Sequence, residues 1–80
     1  MSEIFNFLNK AIKENTQRDE DIKMTDNLRD DLGLDSLGIL ALADQLEEEY
    51  DIALEAEDLA NSPSTIEAFV SLIESKRSEN

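Results

Sequence analysis

The chain has no cysteine and no histidine. Without cysteine it can form neither a disulfide nor a thiolate metal site. Without histidine as well, the usual zinc sites and His-dependent catalytic triads are excluded. No apolar run approaches the roughly 20 residues that span a bilayer, so membrane insertion is not expected. The sequence opens Met1-Ser2-Glu3 with no basic, apolar leader, and a cytoplasmic location is the expectation. Basic residues are scarce: 7 Lys and Arg face 20 Asp and Glu, giving a formal net charge of −13. A polyanion repels phosphate, so nucleic acid is not an expected partner.

What is present suits one small domain over residues 1–80. Hydrophobic residues make up 40% of the chain, which argues against simple disorder. A chain this short buries only about 60–65% of the surface its unfolded form exposes, so modest stability is expected. The charge is unevenly placed. No base stands between Arg29 and Lys76, while residues 30–75 hold 13 acids. The other segments hold 7 acids and 7 bases and cancel. The acidic stretch can be a solubilising surface or a docking face for basic partners, and charge alone does not choose between them.

Hydrophobic spacing predicts helices throughout. Ile4, Phe5, Leu8, Ala11 and Ile12 form a helical stripe from about Ser2 to Asn15, with Ser2 as a candidate N-cap. Residues 16–35 break the periodicity and form a long connection, a kind of loop that often carries function. Ile22, Met24, Leu28, Leu32 and Leu34 can pin it to a core, and Gly33 offers a turn. Residues 36–50 are the strongest helical segment. Ile39, Leu42, Ala43, Leu46 and Tyr50 share its core face. Roughly opposite lie Leu37, Leu40, Asp44, Glu47, Glu48 and Asp51, two leucines among four acids. Asp35 can cap this helix. A short helical turn is expected over Ala56 to Ala60, with Leu54 and Leu59 turned inward. Ser64-Thr65-Ile66-Glu67, just after Pro63, matches a capping box. Ile66, Phe69, Val70 and Ile73 then form the last buried stripe. This helix is expected to fray near Lys76 and Arg77, and Ser78-Glu79-Asn80 to be loose. No segment alternates as a strand does. The fold class is therefore all-α: a small bundle of three main helices plus one short helix, with a long loop between the first and second.

Several chemistries fail on the residues. An EF-hand loop needs alternating acids, Gly at its sixth position and Glu at its twelfth. Starts at Asp26, Asp30 or Asp31 do not match it, and no dedicated metal site is expected. The acids lie on a helix surface of a domain too small for a deep cleft, which disfavours acid–base catalysis. Ser36 has no histidine to activate it as a nucleophile. Its simplest role is to help start a helix.

The string Asp31-Leu32-Gly33-Leu34-Asp35-Ser36-Leu37 adds a sharper reading. It resembles the attachment motif of acyl carrier proteins and related peptidyl carrier domains, which place Asp-Ser-Leu or a similar triplet at the start of their second helix. The resemblance extends to the long loop before the triplet, the Leu-Gly dipeptide, and Leu46-Glu47-Glu48-Glu49-Tyr50-Asp51 at the end of the helix. Length, acidity and helix order agree over essentially the whole chain.

The resemblance implies a carrier and not an enzyme. A phosphopantetheinyl transferase would move 4′-phosphopantetheine from coenzyme A to the Ser36 hydroxyl. The arm's terminal thiol would then carry acyl groups as thioesters between acyl-handling enzymes with basic docking patches. Asp35, Leu37, Leu40, Asp44, Glu47 and Glu48 are the expected partner-docking residues. Leu42, Leu46, Leu59, Ile66 and Phe69 would line a sheltered chain, or simply form the core, with small Ala43 and Ala68 leaving room. A monomer is expected. Many fatty-acid synthesis carriers have acids two and five residues after the serine, whereas Gly38 and Ala41 stand here. Both fatty-acid synthesis and a specialised acyl or polyketide-type pathway therefore remain open. The rival reading is an acidic helical module that binds basic proteins without a prosthetic group.

Overall fold

A computed structural model describes residues 3–60 and 63–78. The chain forms α1 (Glu3–Thr16), α2 (Ser36–Tyr50), α3 (Ala56–Ala60) and α4 (Ile66–Ser78). The expected Ser2 cap lies outside the described residues, as do Glu79 and Asn80 of the expected loose tail.

The amphipathic stripes explain the packing. Ile4, Phe5, Leu8, Ala11 and Ile12 of α1 are buried, as are Ile39, Leu42, Ala43 and Leu46 of α2 and Ile66, Phe69, Val70 and Ile73 of α4. Helix α1 packs against both α2 and α4. Tyr50 is half-buried at the edge of this core. Its ring meets Phe7 edge-on at 5.8 Å between centroids, and its hydroxyl donates to the Glu3 carbonyl at 3.3 Å. Burial is the main reason its phenol pKa is raised, with the Glu3 and Glu49 charges adding to the effect. The radius of gyration is 11.5 Å, close to the roughly 12 Å expected of a folded chain this long.

The long connection is part of the core. Ile22, Leu28, Leu32 and Leu34 are buried and Met24 packs beside them. Its backbone is also tied to the start of α4. The Ile66 and Glu67 amides donate to the Asp26 and Met24 carbonyls, and the Leu28 amide donates to the Ser64 carbonyl. Asn27 and Thr65 form an isolated antiparallel bridge. This pairing moves the cap of α4. Thr65 Oγ1 accepts from the Ala68 amide at 3.2 Å, so Thr65 is the N-cap and the expected Ser64–Glu67 capping box does not form.

The far end of α4 also differs from expectation, because the helix continues through Ser78. Its two basic residues are anchored. Lys76 pairs with Asp58 at 3.0 Å, each side chain about one-fifth exposed, which ties α4 to the short α3. Arg77 lies 4.8 Å over the Tyr50 ring and 3.5 Å from the Glu3 carboxylate. Leu54 and Leu59 pack half-buried against the core. No helix of the described residues is long and apolar enough to cross a membrane.

Candidate functional site at the start of the second helix

The site begins with a compact loop. Asn27 Oδ1 accepts from the Arg29 and Asp30 amides, both at 2.9 Å, and the Asn27 amide donates to Asp31 Oδ2 at 2.7 Å. These short-range bonds let the chain turn over Asn27 to Leu32 as one helical turn would. Gly33 then adopts φ +69°, a left-handed conformation that suits a residue without Cβ. Its amide donates to the Arg29 carbonyl, and the Leu34 amide donates to the Leu28 carbonyl. The reversal carries Arg29 back alongside the beginning of α2. Buried Leu32 and Leu34 anchor it from below.

Asp35 starts α2 from an extended conformation (φ −99°, ψ −175°), and its Oδ1 accepts from the Gly38 amide at 2.8 Å. That is an N-cap bond, as expected from the residue type. Ser36 is the first helical residue and is exposed. The Ser36 and Leu37 amides, in the first turn, have no intrahelical acceptor, and the positive end of the helix dipole lies here. The Arg29 guanidinium donates to Ser36 Oγ at 3.4 Å. Sequence reasoning passed over Arg29. The available signal was its place as the last base before the acidic segment.

Gly38 has a packing reason. A Cβ there would stand 3.2 Å from Leu34 Cδ2 and 3.4 Å from Asp35 Oδ1. The residue lets α2 begin close against the loop that positions the serine.

Beyond Ser36, α2 presents a mixed surface. Leu37 is 76% exposed and Leu40 46%, and these are the large hydrophobic residues exposed among the described ones. Asp44 and Glu48 are exposed farther along. Glu47 differs from its neighbours. It is half-buried, and its Oε2 accepts from the Leu54 amide at 2.8 Å, fastening the connection to α3. Asp51 closes the helix in a left-handed conformation, with its amide bonded to the Glu47 carbonyl.

Of the five residues expected to line a chain, Leu42, Leu46, Ile66 and Phe69 are wholly buried in the core and Leu59 is half-buried beside it. Between α3 and α4 lies a shallow hollow of about 640 Å³ lined by Glu57, Asp58, Pro63, Ala68, Ser71, Leu72 and Ser75. None of the five lines it. Among the described residues no group of three or more acids is placed to hold a metal ion.

An exposed serine at a capped helix start, with a cation at its hydroxyl and free first-turn amides beside it, fits a phosphate-linked group. The chain belongs to the phosphopantetheine attachment-site family, whose model matches residues 6–73. No curated protein matches it. The family's prosthetic group is 4′-phosphopantetheine, and its domains are typically carriers that work with acyl-handling enzymes and a modifying transferase.

Proposed function

We propose that this protein is an acyl carrier whose 4′-phosphopantetheine arm is attached to Ser36. The observation that carries the reading is the exposure of Ser36 as the first residue of α2, beside Arg29, in a chain of this family. In the loading reaction Ser36 Oγ bonds to the phosphorus of the phosphopantetheine half of coenzyme A. The pyrophosphate link breaks, the nucleotide half leaves, and the hydroxyl proton passes to a base of the transferase. The bound arm supplies a thiol that holds acyl groups as thioesters, in fatty-acid synthesis or in a specialised acyl or polyketide-type pathway. The chain performs no catalysis of its own.

Asp35, Leu37, Leu40, Asp44 and Glu48 serve as the docking face. The leucines bury against a partner, and the acids meet its Lys and Arg side chains. Exposed charges of this kind mainly raise encounter rates and set orientation, which suits a shuttle that must leave each partner quickly. The uncharged stretch from Gly38 to Ala43 suits partners that grip the site through apolar contact, in either kind of pathway. A cytoplasmic monomer belongs to the same reading, because Ser36 and its flanking face must stay open to coenzyme A and the transferase.

The test is incubation with coenzyme A and a broad-specificity transferase, followed by intact-mass measurement. Wild-type protein should gain one arm. Ser36→Ala should melt at the same temperature and gain none. A modified Ser36→Ala protein would sink the assignment. Wild-type protein left unmodified by an active transferase would favour the acidic interaction module instead.

A further inference from the structure

Arg29 occupies an unusual electrostatic position. It is followed by Asp30 and Asp31, and Asp35 lies just before the serine. Yet among the described residues its guanidinium forms no ion pair with any carboxylate. Asp31 Oδ2 is taken by the Asn27 amide and Asp35 Oδ1 by the Gly38 amide. The guanidinium reaches the Ser36 hydroxyl instead, at the long distance of 3.4 Å. A neutral hydroxyl is a weak acceptor for a group that prefers anionic oxygens in a forked arrangement. The loop bonds of Asn27 and Gly33 hold the Arg29 backbone in this place, and neither uses the Ser36 hydroxyl.

We infer that Arg29 is a positioning residue for the phosphodiester of the attached arm. The inference rests on Ser36 being the attachment point. Once Oγ is esterified, the non-bridging phosphate oxygens would lie two bonds beyond it, close to a guanidinium that already contacts Oγ. They offer the anionic acceptor that the hydroxyl does not. The phosphodiester brings a negative charge into a neighbourhood already holding Asp30, Asp31 and Asp35. Arg29 offsets that charge on the loop side, while the first-turn amides of α2 face it from the helix side. An Arg29 contact of this kind would restrain the root of the arm on the side of Ser36 where the loop stands.

The test uses the full chain before and after loading, with loading verified by intact mass. In protein labelled with ¹⁵N-arginine, the Arg29 side-chain N–H signal should shift on loading, and its exchange with water should slow. Arg18 and Arg77 serve as internal references and should barely move. In loaded Arg29→Gln protein the ³¹P signal of the arm should move toward that of free phosphopantetheine diester, and Arg29→Lys should fall between the two. An Arg29 signal unchanged by loading would overturn the inference while leaving Ser36 as the attachment site. A ³¹P signal identical in wild type and Arg29→Gln would overturn it equally. If Arg29→Gln resists loading, the wild-type arginine comparison decides alone. Wild-type protein that cannot be loaded would remove the reading beneath, and this inference with it.

Discussion

Replacing Asp35 separates two roles that its position combines. Its carboxylate accepts the Gly38 amide at 2.8 Å and carries a negative charge beside the serine. Asp35→Ala removes both. Loss of an N-cap of this type costs about 1 kcal/mol, within a range of roughly 0.5–2 kcal/mol. In a domain this small, each kcal/mol lowers the melting temperature by about 4–8 °C. Asp35→Asn keeps a side-chain oxygen in the capping position, where Asn ranks with Asp. It forfeits a charge–dipole attraction of about 0.3–1 kcal/mol, partly offset by relief of repulsion from Asp30 and Asp31. Thermal unfolding at pH 7 should therefore show a clear drop for Asp35→Ala and a smaller one for Asp35→Asn. Transferase kinetics on both variants should give the opposite grouping if the charge guides docking: both should load more slowly, although only one is destabilised. Equal melting losses would refute the cap argument, and an unperturbed Asp35→Ala would show that the bond contributes nothing.

Other perturbations test separate parts of the account. Leu37→Ala and Leu40→Ala lie on exposed surface, so stability should stay within about 0.5 kcal/mol of wild type. Loading kcat/KM should fall about tenfold for each leucine that contributes about 1.4 kcal/mol to docking, and unchanged kinetics would remove these side chains from the docking face. The Asp58 carboxyl is held below its ordinary value of 3.8, first by the Glu55 amide and then by Lys76. A depressed folded pKa stabilises the protein above the unfolded value, and that contribution is lost as pH falls through the folded one. Asp58→Asn should thus be less stable than wild type at pH 7, with the gap closing below about pH 3.8; a gap independent of pH would contradict the ion-pair explanation. Added magnesium should raise the melting temperature more than sodium chloride at equal ionic strength, gradually and without a saturating site, because 13 acids repel across residues 30–75. Equal rises would mean general screening alone.

The helices were readable because their signals are local. The expected bounds of the second helix, 36 to 50, and of the short helix, Ala56 to Ala60, coincide with α2 and α3. Asp35 capping follows from residue type alone. What escaped the sequence depends on contacts between distant segments. The shift of the α4 cap from Ser64 to Thr65 follows from amides of α4 bonding to carbonyls of Met24 and Asp26, about forty residues away in the chain. The persistence of α4 to Ser78 rests on Lys76 and Arg77 finding partners on α3, α2 and α1. Periodicity placed Glu47 on the acidic outer stripe, but one bond to the Leu54 amide gives it a fastening role. Gly38 read as a departure from the acidic pattern of fatty-acid synthesis carriers, whereas the proximity of Leu34 explains its small size. Arg29 is the most consequential omission. Its approach to Ser36 depends on the reversal at Gly33, and only three-dimensional geometry brings the two together.

The central claim is that one serine among seven carries the arm. The most direct measurement is fragmentation mass spectrometry on protein co-expressed with a phosphopantetheinyl transferase, mapping the added mass to a residue. The account predicts a single arm on Ser36 and none on Ser2, Ser62, Ser64, Ser71, Ser75 or Ser78. An arm mapped to any of those six, or no arm from a transferase active on a control carrier, would contradict it.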